Sequence, residues 1–279
     1  MRTADRKGTH PLPQNPSTND TEGESSMSNL ELSGKTALVT GGGVGIGAAI
    51  AEDLAKRGAH VILTYRSHQP SPEAMARLVN AAQKAPLALP VDLTIEEEVN
   101  KFGDRIESQI GHIDILVHNA GGLVQRSSIE EMPYELFRKV QALNVDSVFL
   151  LTKRLLPIMN KDGRIVIVAS LAGRTGGHAG ATAYGTAKAA LFGFTRGLSK
   201  EVADQGITVN AVAPGFIEAT PFHDTFTTKD SKRTTITTIP VGRAGVPADV
   251  ASAVSWLTSP GAAFVTGTVI DINGGQHFS

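Results

Sequence analysis

The chain contains no cysteine. That excludes a disulfide framework, a thiol nucleophile and a cysteine-ligated zinc, and it is compatible with a reducing, cytoplasmic setting. No apolar run reaches the length needed to span a bilayer, so no membrane role is expected. Charge is almost balanced, with 26 Lys and Arg against 27 Asp and Glu, which gives no electrostatic case for nucleic acid or an anionic membrane surface. Aromatic residues make up 5% and include three tyrosines, so a tyrosine that falls in a chemical pattern carries weight. What remains is an ordinary soluble composition, 41% hydrophobic and 19% charged, in 279 residues, enough for one large α/β domain. There is no internal repeat and no linker to a second domain.

Residues 1–29 differ from the rest. They are rich in Pro, Ser, Thr, Asn, Asp and Gly and nearly devoid of apolar side chains. Such a segment buries too little surface to offset its ordering entropy, and it lacks the apolar core of a signal peptide. Asp5, Asp20, Glu22 and Glu24 argue against a transit peptide. The expectation is a disordered tail, or sequence upstream of a start at Met27, followed by a domain over residues 30–279.

The stretch Thr40-Gly41-Gly42-Gly43-Val44-Gly45-Ile46-Gly47 organises that domain. The apolar, β-leaning run 35–39 precedes it. An Ala-rich segment from Ala48 follows, with Ile50 and Leu54 four apart, and it stops at Gly58 after Lys56-Arg57. The run 59–65 is again strand-like, completing a βαβ unit. Glycines at a strand-to-helix turn leave bare N–H groups at a positive helix end, an arrangement that suits a pyrophosphate.

Further strands are expected at 88–93, 113–119, 164–170, 207–212 and 268–272. Helices are expected over about 73–83, after a Thr94 cap with Glu96, Glu97 and Glu98 in its first turn, on both sides of Asn144, and over 181–204. Alternating strands and helices imply a doubly wound, seven-stranded parallel sheet with helices on both faces, a single-domain Rossmann fold. In such a sheet the ligand lies at the carboxyl ends of the strands. Gly41, Tyr65-Arg66, Asp92, Asn119, Ser170 and Pro214-Gly215 all fall at those ends. Six polar or glycine positions in register point to one nucleotide-sized cleft.

Ser170 closes an apolar strand, and Tyr184 and Lys188 follow at i and i+4, on one face of a helix. A free tyrosine has a pKa near 10 and is a poor acid–base group at neutral pH. A neighbouring ammonium, helped by a cationic nicotinamide ring, favours the phenolate and lowers that value. With a serine hydroxyl to hold a carbonyl oxygen, these groups form a proton-transfer device for a carbonyl–carbinol pair. The bland alternative is a packed tyrosine and a surface lysine. The scarcity of tyrosine and the Gly-rich unit upstream weigh against it.

The full order is T-G-x-x-x-G-I-G over Thr40–Gly47, Asp92, N-A-G at Asn119-Ala120-Gly121, Asn144, Ser170, Y-x-x-x-K at Tyr184 and Lys188, P-G at Pro214-Gly215, and a closing Ile272-Asn273-Gly274-Gly275. This resembles the short-chain dehydrogenase/reductases over about residues 30–277, and in feel the 3-oxoacyl-acyl-carrier-protein reductases among them. The resemblance implies Tyr184 as acid/base, Lys188 as its tuner and ribose ligand, Ser170 as carbonyl positioner and Asn144 as anchor of a proton-relay water. It further implies a nicotinamide cofactor held by Gly41, Gly43, Gly45, Ile46, Gly47, Arg66, Ser67, Asp92, Leu93, Asn119, Ala120, Gly121, Tyr184, Lys188, Pro214, Gly215, Ile217 and Thr220, with no metal. Two departures stand out. His118 occupies a place where a second Asn is frequent, and the segment between Ser170 and Tyr184, with Gly173, Gly176, Gly177 and Gly180, is about one residue longer than is common.

NAD enzymes of this shape carry an acid after the second strand to grip the ribose 2′-OH. Here Tyr65, Arg66 and Ser67 stand there, with no carboxylate to repel a 2′-phosphate and a guanidinium to bind one. Val44 lacks the second basic group of many NADP-dependent relatives. The reading is NADP(H) over NAD(H), reducing a ketone or 3-oxoacyl group. Alternatives are a sugar or polyol dehydrogenase and, with a complete tetrad against it, a non-catalytic NADP-binding regulator. A long Thr-rich segment over about 216–240 stands in the place of a mobile substrate loop, in which Phe222 and Phe226 line a pocket or anchor the loop, and His223 and Asp224 bind substrate or lie in solvent. Carrier-using relatives grip an acidic protein with two basic residues. The matching places here, near Glu130 and at Gln205, are not basic. The resemblance also implies a homotetramer built through long helices. Ala187, Ala190, Leu191, Phe194 and Leu198 with Gly193 and Gly197 are a stripe able to meet a second helix, and Trp256 to Phe278 offers another surface.

Overall fold

The computed structural model describes residues 30–67, 69–226 and 228–279, without the side chains of 222–224. The expectations for the 1–29 tail and for the side chains of Phe222, His223 and Asp224 lie outside the described residues.

In chain order the elements are β1 (Thr36–Val39), α1 (Gly45–Lys56), β2 (His60–Tyr65), α2 (Pro72–Ala81), β3 (Leu87–Pro90), α3 (Glu96–Gln109), β4 (Ile113–His118), α4 (Tyr134–Gln141), α5 (Ser147–Leu155), β5 (Met159–Val168), α6 (Ala172–Thr175), α7 (Thr182–Glu201), β6 (Thr208–Pro214), α8 (Pro221–Phe226), α9 (Lys229–Thr237), α10 (Pro247–Thr258) and β7 (Val269–Ile272). The strands form one sheet in the order β3-β2-β1-β4-β5-β6-β7, and every pair is parallel. The chain winds outward from β1 to β3, then crosses back to place β4 on the other side of β1. Strand order reverses there, which opens a crevice at the carboxyl ends of β1 and β4.

The strands read as continuous apolar runs because both faces are covered. Alternate residues serve opposite layers. Ile165 and Ile167 of β5 pack with Val148, Leu151 and Leu155 of α5 and Leu191 of α7. Val166 and Val168 pack in the layer of Ile50 and Leu54 of α1 and Val250 and Val254 of α10.

Four local expectations are corrected. First, α1 begins at Gly45 rather than Ala48, with Val44 as N-cap, so Gly45 and Gly47 form its first turn instead of preceding it. Second, β3 stops at Pro90, and Asp92 stands in the turn beyond. Third, Thr94 does not cap α3. Its hydroxyl and amide both donate to Asp92 Oδ1, at 2.7 and 3.0 Å, and the N-cap is Ile95 with no side-chain bond. The short carboxylate captures the nearest donors before the helix starts. Fourth, α4 and α5 flank Asn144 as expected, but no loop separates them, because residues Ala142–Asp146 continue the rod as a π-helical turn. The 216–240 segment is also less loop-like than its composition suggests: it holds α8 and α9, and the Thr228 side chain caps α9 by accepting from Ser231 N at 3.2 Å.

Candidate active site

A single cleft of about 1770 Å³ runs across the carboxyl ends of the sheet. Its walls include Gly41, Gly43, Gly45, Ile46 and Gly47 from the glycine turn and Arg66 and Ser67 from the end of β2. They include Asp92 and Leu93 after β3, Asn119, Ala120 and Gly121 after β4, and Ser170, Tyr184 and Lys188. Pro214, Gly215, Ile217 and Thr220 complete the set. The cleft thus gathers every residue assigned from the sequence to catalysis or cofactor binding except Asn144.

The glycine turn is locked from β4. Thr40 Oγ1 accepts from the amides of Asn119 and Ala120, both at 2.9 Å. Asn119 Nδ2 donates to the carbonyls of Thr40 and Gly41, at 2.9 and 3.1 Å. Gly41 has φ +61°, a left-handed conformation that favours glycine, and a Cβ there would press on Ala120 Cα at 3.2 Å. A Cβ on Gly47 would run into Gly41 O and Asn119 Nδ2. Bare backbone is therefore required on this wall, at the N-terminus of α1, and the cradle fits a dinucleotide pyrophosphate. Thr40 and Thr64, whose hydroxyl faces Gly41 N at 3.4 Å, were not named as site residues from sequence. Their signal was a hydroxyl at the head of the glycine motif and another inside an apolar strand.

At the end of β2, Arg66 is half-exposed, and its Nη1 lies 3.7 Å from Asp92 Oδ2. Strand 2 itself ends without a carboxylate, as read, but the fold brings one in from beyond β3. Desolvation raises the Asp92 pKa, yet the hydroxyl and amide of Thr94 and the charge of Arg66 outweigh it and hold the carboxyl below its ordinary value. An anion on Arg66 competes with this pair.

At the other end, the hydroxyls of Ser170 and Tyr184 are hydrogen-bonded to each other. Ser170 Oγ also accepts from Ala172 N at 3.1 Å, which fixes its direction. Lys188 is buried, donates from Nζ to Val168 O at 2.8 Å, and sits 5.7 Å from the Tyr184 ring centroid. Burial pushes the tyrosine up to about 12, against the lowering bond from Ser170, and pulls the lysine down to about 8. The expected lowering of the phenol by its lysine is thus overridden in the protein alone: desolvation of the hydroxyl is the larger effect.

Asn144 is fully buried behind the wall. Its Nδ2 donates to Gly122 O and Val140 O at 2.8 and 2.9 Å, and its Oδ1 accepts from Gly122 N at 3.0 Å. Both amide hydrogens of Asn144 are thus spent inside the fold, one of them on holding the Gly121-Gly122 turn. His118 lies under the same turn, with Nε2 2.9 Å from Thr152 Oγ1 of α5, and burial pulls it down to about 3. Arg126, Lys139, Leu143 and Phe226 also line the cleft. None of them belongs to a sequence motif.

Among the described residues no cluster of His, Asp or Glu could hold a metal ion, and no helix is long and apolar enough to cross a membrane. A family profile described as enoyl-(acyl carrier protein) reductase matches residues 42–277. The chain is 41% identical over 251 residues to the 3-oxoacyl-[acyl-carrier-protein] reductase FabG of Vibrio cholerae, covering 89% of this chain and 99% of that one. It is 39% identical to the protein of that name in Escherichia coli K12, with the same coverage. A solved short-chain dehydrogenase/reductase from Brucella melitensis, named a glucose/ribitol dehydrogenase, superposes with TM-score 0.81 at 34% identity over 90% of this chain and all of the other. A blue fluorescent protein from a metagenomic library, solved in complex with NADPH, does so with TM-score 0.80 at 32% identity, over 89% of this chain and 100% of that one.

Proposed function

This chain belongs to the short-chain dehydrogenase/reductase family, and we propose that within it Tyr184, Ser170 and Lys188 carry out the NADP(H)-dependent reduction of a ketone of the 3-oxoacyl kind. The enzyme is an oxidoreductase of the carbonyl–alcohol type. The observation that carries the residue assignment is the Ser170–Tyr184 hydroxyl pair with Lys188 against the same ring, on the wall of a cleft whose far end is a glycine cradle.

The nicotinamide, when bound, supplies the hydride. Ser170 Oγ–H and the Tyr184 hydroxyl converge on the carbonyl oxygen and align it. As negative charge develops there, Tyr184 gives up its proton and Lys188 stabilises the phenolate left behind. A phenol held near 12 keeps its proton at pH 7, the form that reduction requires.

Arg66 and Ser67 are proposed to read a 2′-phosphate, which favours NADP(H). Arg66 must leave Asp92 to do so. Glu130 and Gln205 stand where carrier-gripping relatives are basic, which supports a small or thioester substrate over a carrier-bound one. A homotetramer is proposed through α7, whose Ala190, Gly193 and Gly197 are exposed, with Phe149 of α5, half-exposed, beside them in the sequence-implied helix pair. Phe264 and Phe278, both fully exposed in one chain, support a second contact. A cytoplasmic enzyme is the accompanying expectation. The decisive assay follows NADPH and NADH oxidation with an acetoacetyl thioester, simple β-keto esters, and sugars. Turnover of a sugar but no ketone would refute the 3-oxoacyl reading.

A further inference from the structure

We propose that the substrate carries a fixed negative charge, recognised by Arg126 of the cleft lining, with Lys139 lining the same cleft. This rests on the carbonyl-reductase reading and names its substrate class.

The cleft is electrostatically lopsided. Among its described lining residues the one carboxylate is Asp92, at the end that takes the cofactor's adenosine half in this reading. At the tyrosine end the lining holds Arg126, Lys139 and His178, over apolar walls from Leu123, Leu143 and Phe226. The acids nearest in sequence, Glu130, Glu131 and Glu135, do not line it. Neither Arg126 nor Lys139 makes an ion pair among the described residues, although Arg57, Arg154, Arg174 and Arg243 all do.

Arg126 is also placed, not free. Its Nη1 donates to Ala179 O at 3.1 Å, in the Gly-rich segment before Tyr184, and Nη2 lies 3.5 Å from Phe226 O at the end of α8. The adjacent amide, Ser127 N, donates to Gly180 O at 3.1 Å and fixes the strand of chain that carries it. A guanidinium has five donors, and two carbonyl oxygens leave the rest of the fork unused. Neutral carbonyls position the group without cancelling its charge. A half-buried cation over an apolar wall, held by dipoles and facing the substrate, suits a carboxylate or phosphate oxygen. The long contact to Phe226 O is the one such an anion would displace.

The test uses the full chain and two matched pairs of ketones. One pair is acetoacetate against ethyl acetoacetate. The other is acetoacetyl-coenzyme A against acetoacetyl-N-acetylcysteamine. The reading is the ratio of kcat/KM, charged over neutral, within each pair. In at least one pair the ratio should exceed unity, fall about tenfold in Arg126→Gln, and recover in Arg126→Lys. It should also shrink in the unmodified enzyme as salt rises from about 0.05 to 0.5 M. The responding pair tells a carboxylate from a phosphate. Ratios that ignore both salt and the Arg126→Gln change overturn the inference. Absence of turnover on all four ketones would instead overturn the carbonyl reading beneath it.

Discussion

Gly121 and Gly122 are neighbours in one turn, yet alanine should be costly at the first and tolerated at the second. A Cβ on Gly121 would lie 2.7 Å from Asn144 Oδ1 and 3.0 Å from Lys188 Nζ. Ordinary contact begins near 3.4 Å, so the first atom must yield about 0.7 Å and the second about 0.4 Å. Neither moves cheaply. Asn144 is fully buried and its Oδ1 holds Gly122 N, while Lys188 is buried with Nζ on Val168 O. Overpacking of this kind costs about 1–3 kcal/mol, and losing the Asn144 bond adds about 1 kcal/mol. The stiffer unfolded chain returns about 0.4–1 kcal/mol. The net is a loss of about 1–3.5 kcal/mol, or a Tm fall on the order of 2–14 °C. Displacing the lysine by a few tenths of an ångström should also lower kcat roughly tenfold, since a 1 Å error costs about a hundredfold. At Gly122 the nearest atom to a Cβ is Leu143 Cδ2 at 3.7 Å, an ordinary contact. Gly122→Ala should therefore leave Tm and kcat close to those of the unmodified enzyme. Thermal unfolding and steady-state NADPH oxidation on the two variants decide the matter. Equal behaviour of the pair, in either direction, would refute the packing argument.

Tyr184→Phe should reduce turnover by about 10²–10⁴-fold, the usual worth of a positioned acid, while NADPH binding followed by fluorescence stays within a few-fold; near-normal turnover sinks the assignment. Arg66→Ala should weaken NADPH about 5- to 30-fold, the equivalent of one or two kcal/mol for a half-exposed contact, and leave NADH nearly unchanged; equal losses mean that Arg66 does not read the phosphate. His118 has a folded-state pKa pulled down to about 3 against about 6.5 unfolded. The unfolded chain thus takes up a proton first, and stability drains away as pH falls from 6.5 toward 3, by on the order of 5 kcal/mol in all. In His118→Asn that part of the acid slope should vanish, and parallel curves of unfolding free energy against pH would contradict the burial argument. Gly193→Glu, at a position where a Cβ meets open space in one chain, should cost little in a monomer but dissociate a tetramer; light scattering near 29.3 kDa for the unmodified protein would remove the interface altogether.

The fold was legible because its signals are local and repeated: apolar runs bounded by glycine, each ending in a polar residue at the same edge. The cleft followed, since Gly41, Asp92, Asn119 and Ser170 occupy strand ends whatever the details between them. What escaped was set by competition or by distance. Thr94 and Asp92 are both good caps, and only geometry shows the carboxylate taking the threonine's donors. The run 142–146 holds no helix breaker, so nothing in its letters marks a π turn. The Thr-rich segment hid α9 behind weak helix propensity, although Thr228 and Ser231 supply its cap. Arg126 is one charged residue among many until the chain brings Ala179 and Phe226 to it, 53 and 100 residues away.

The π turn has a consequence for how this chain can change its sequence length. Four residues of regular α-helix overshoot a full turn by about 40°, so Val140, Asn144 and Val148, each four apart, would fan away from one another. Wider winding over 142–146 removes that fan and keeps all three buried. The turn is in effect a one-residue insertion whose rotation has been absorbed on the spot. Removing a single residue there should restore an ordinary helix without breaking it. Val140 would still meet α7, or α5 would still meet the sheet, but not both, and Asn144 would swing off Gly122. Such a chain would keep its sheet and its glycine cradle and still fail to hold the Gly121-Gly122 turn beside Lys188.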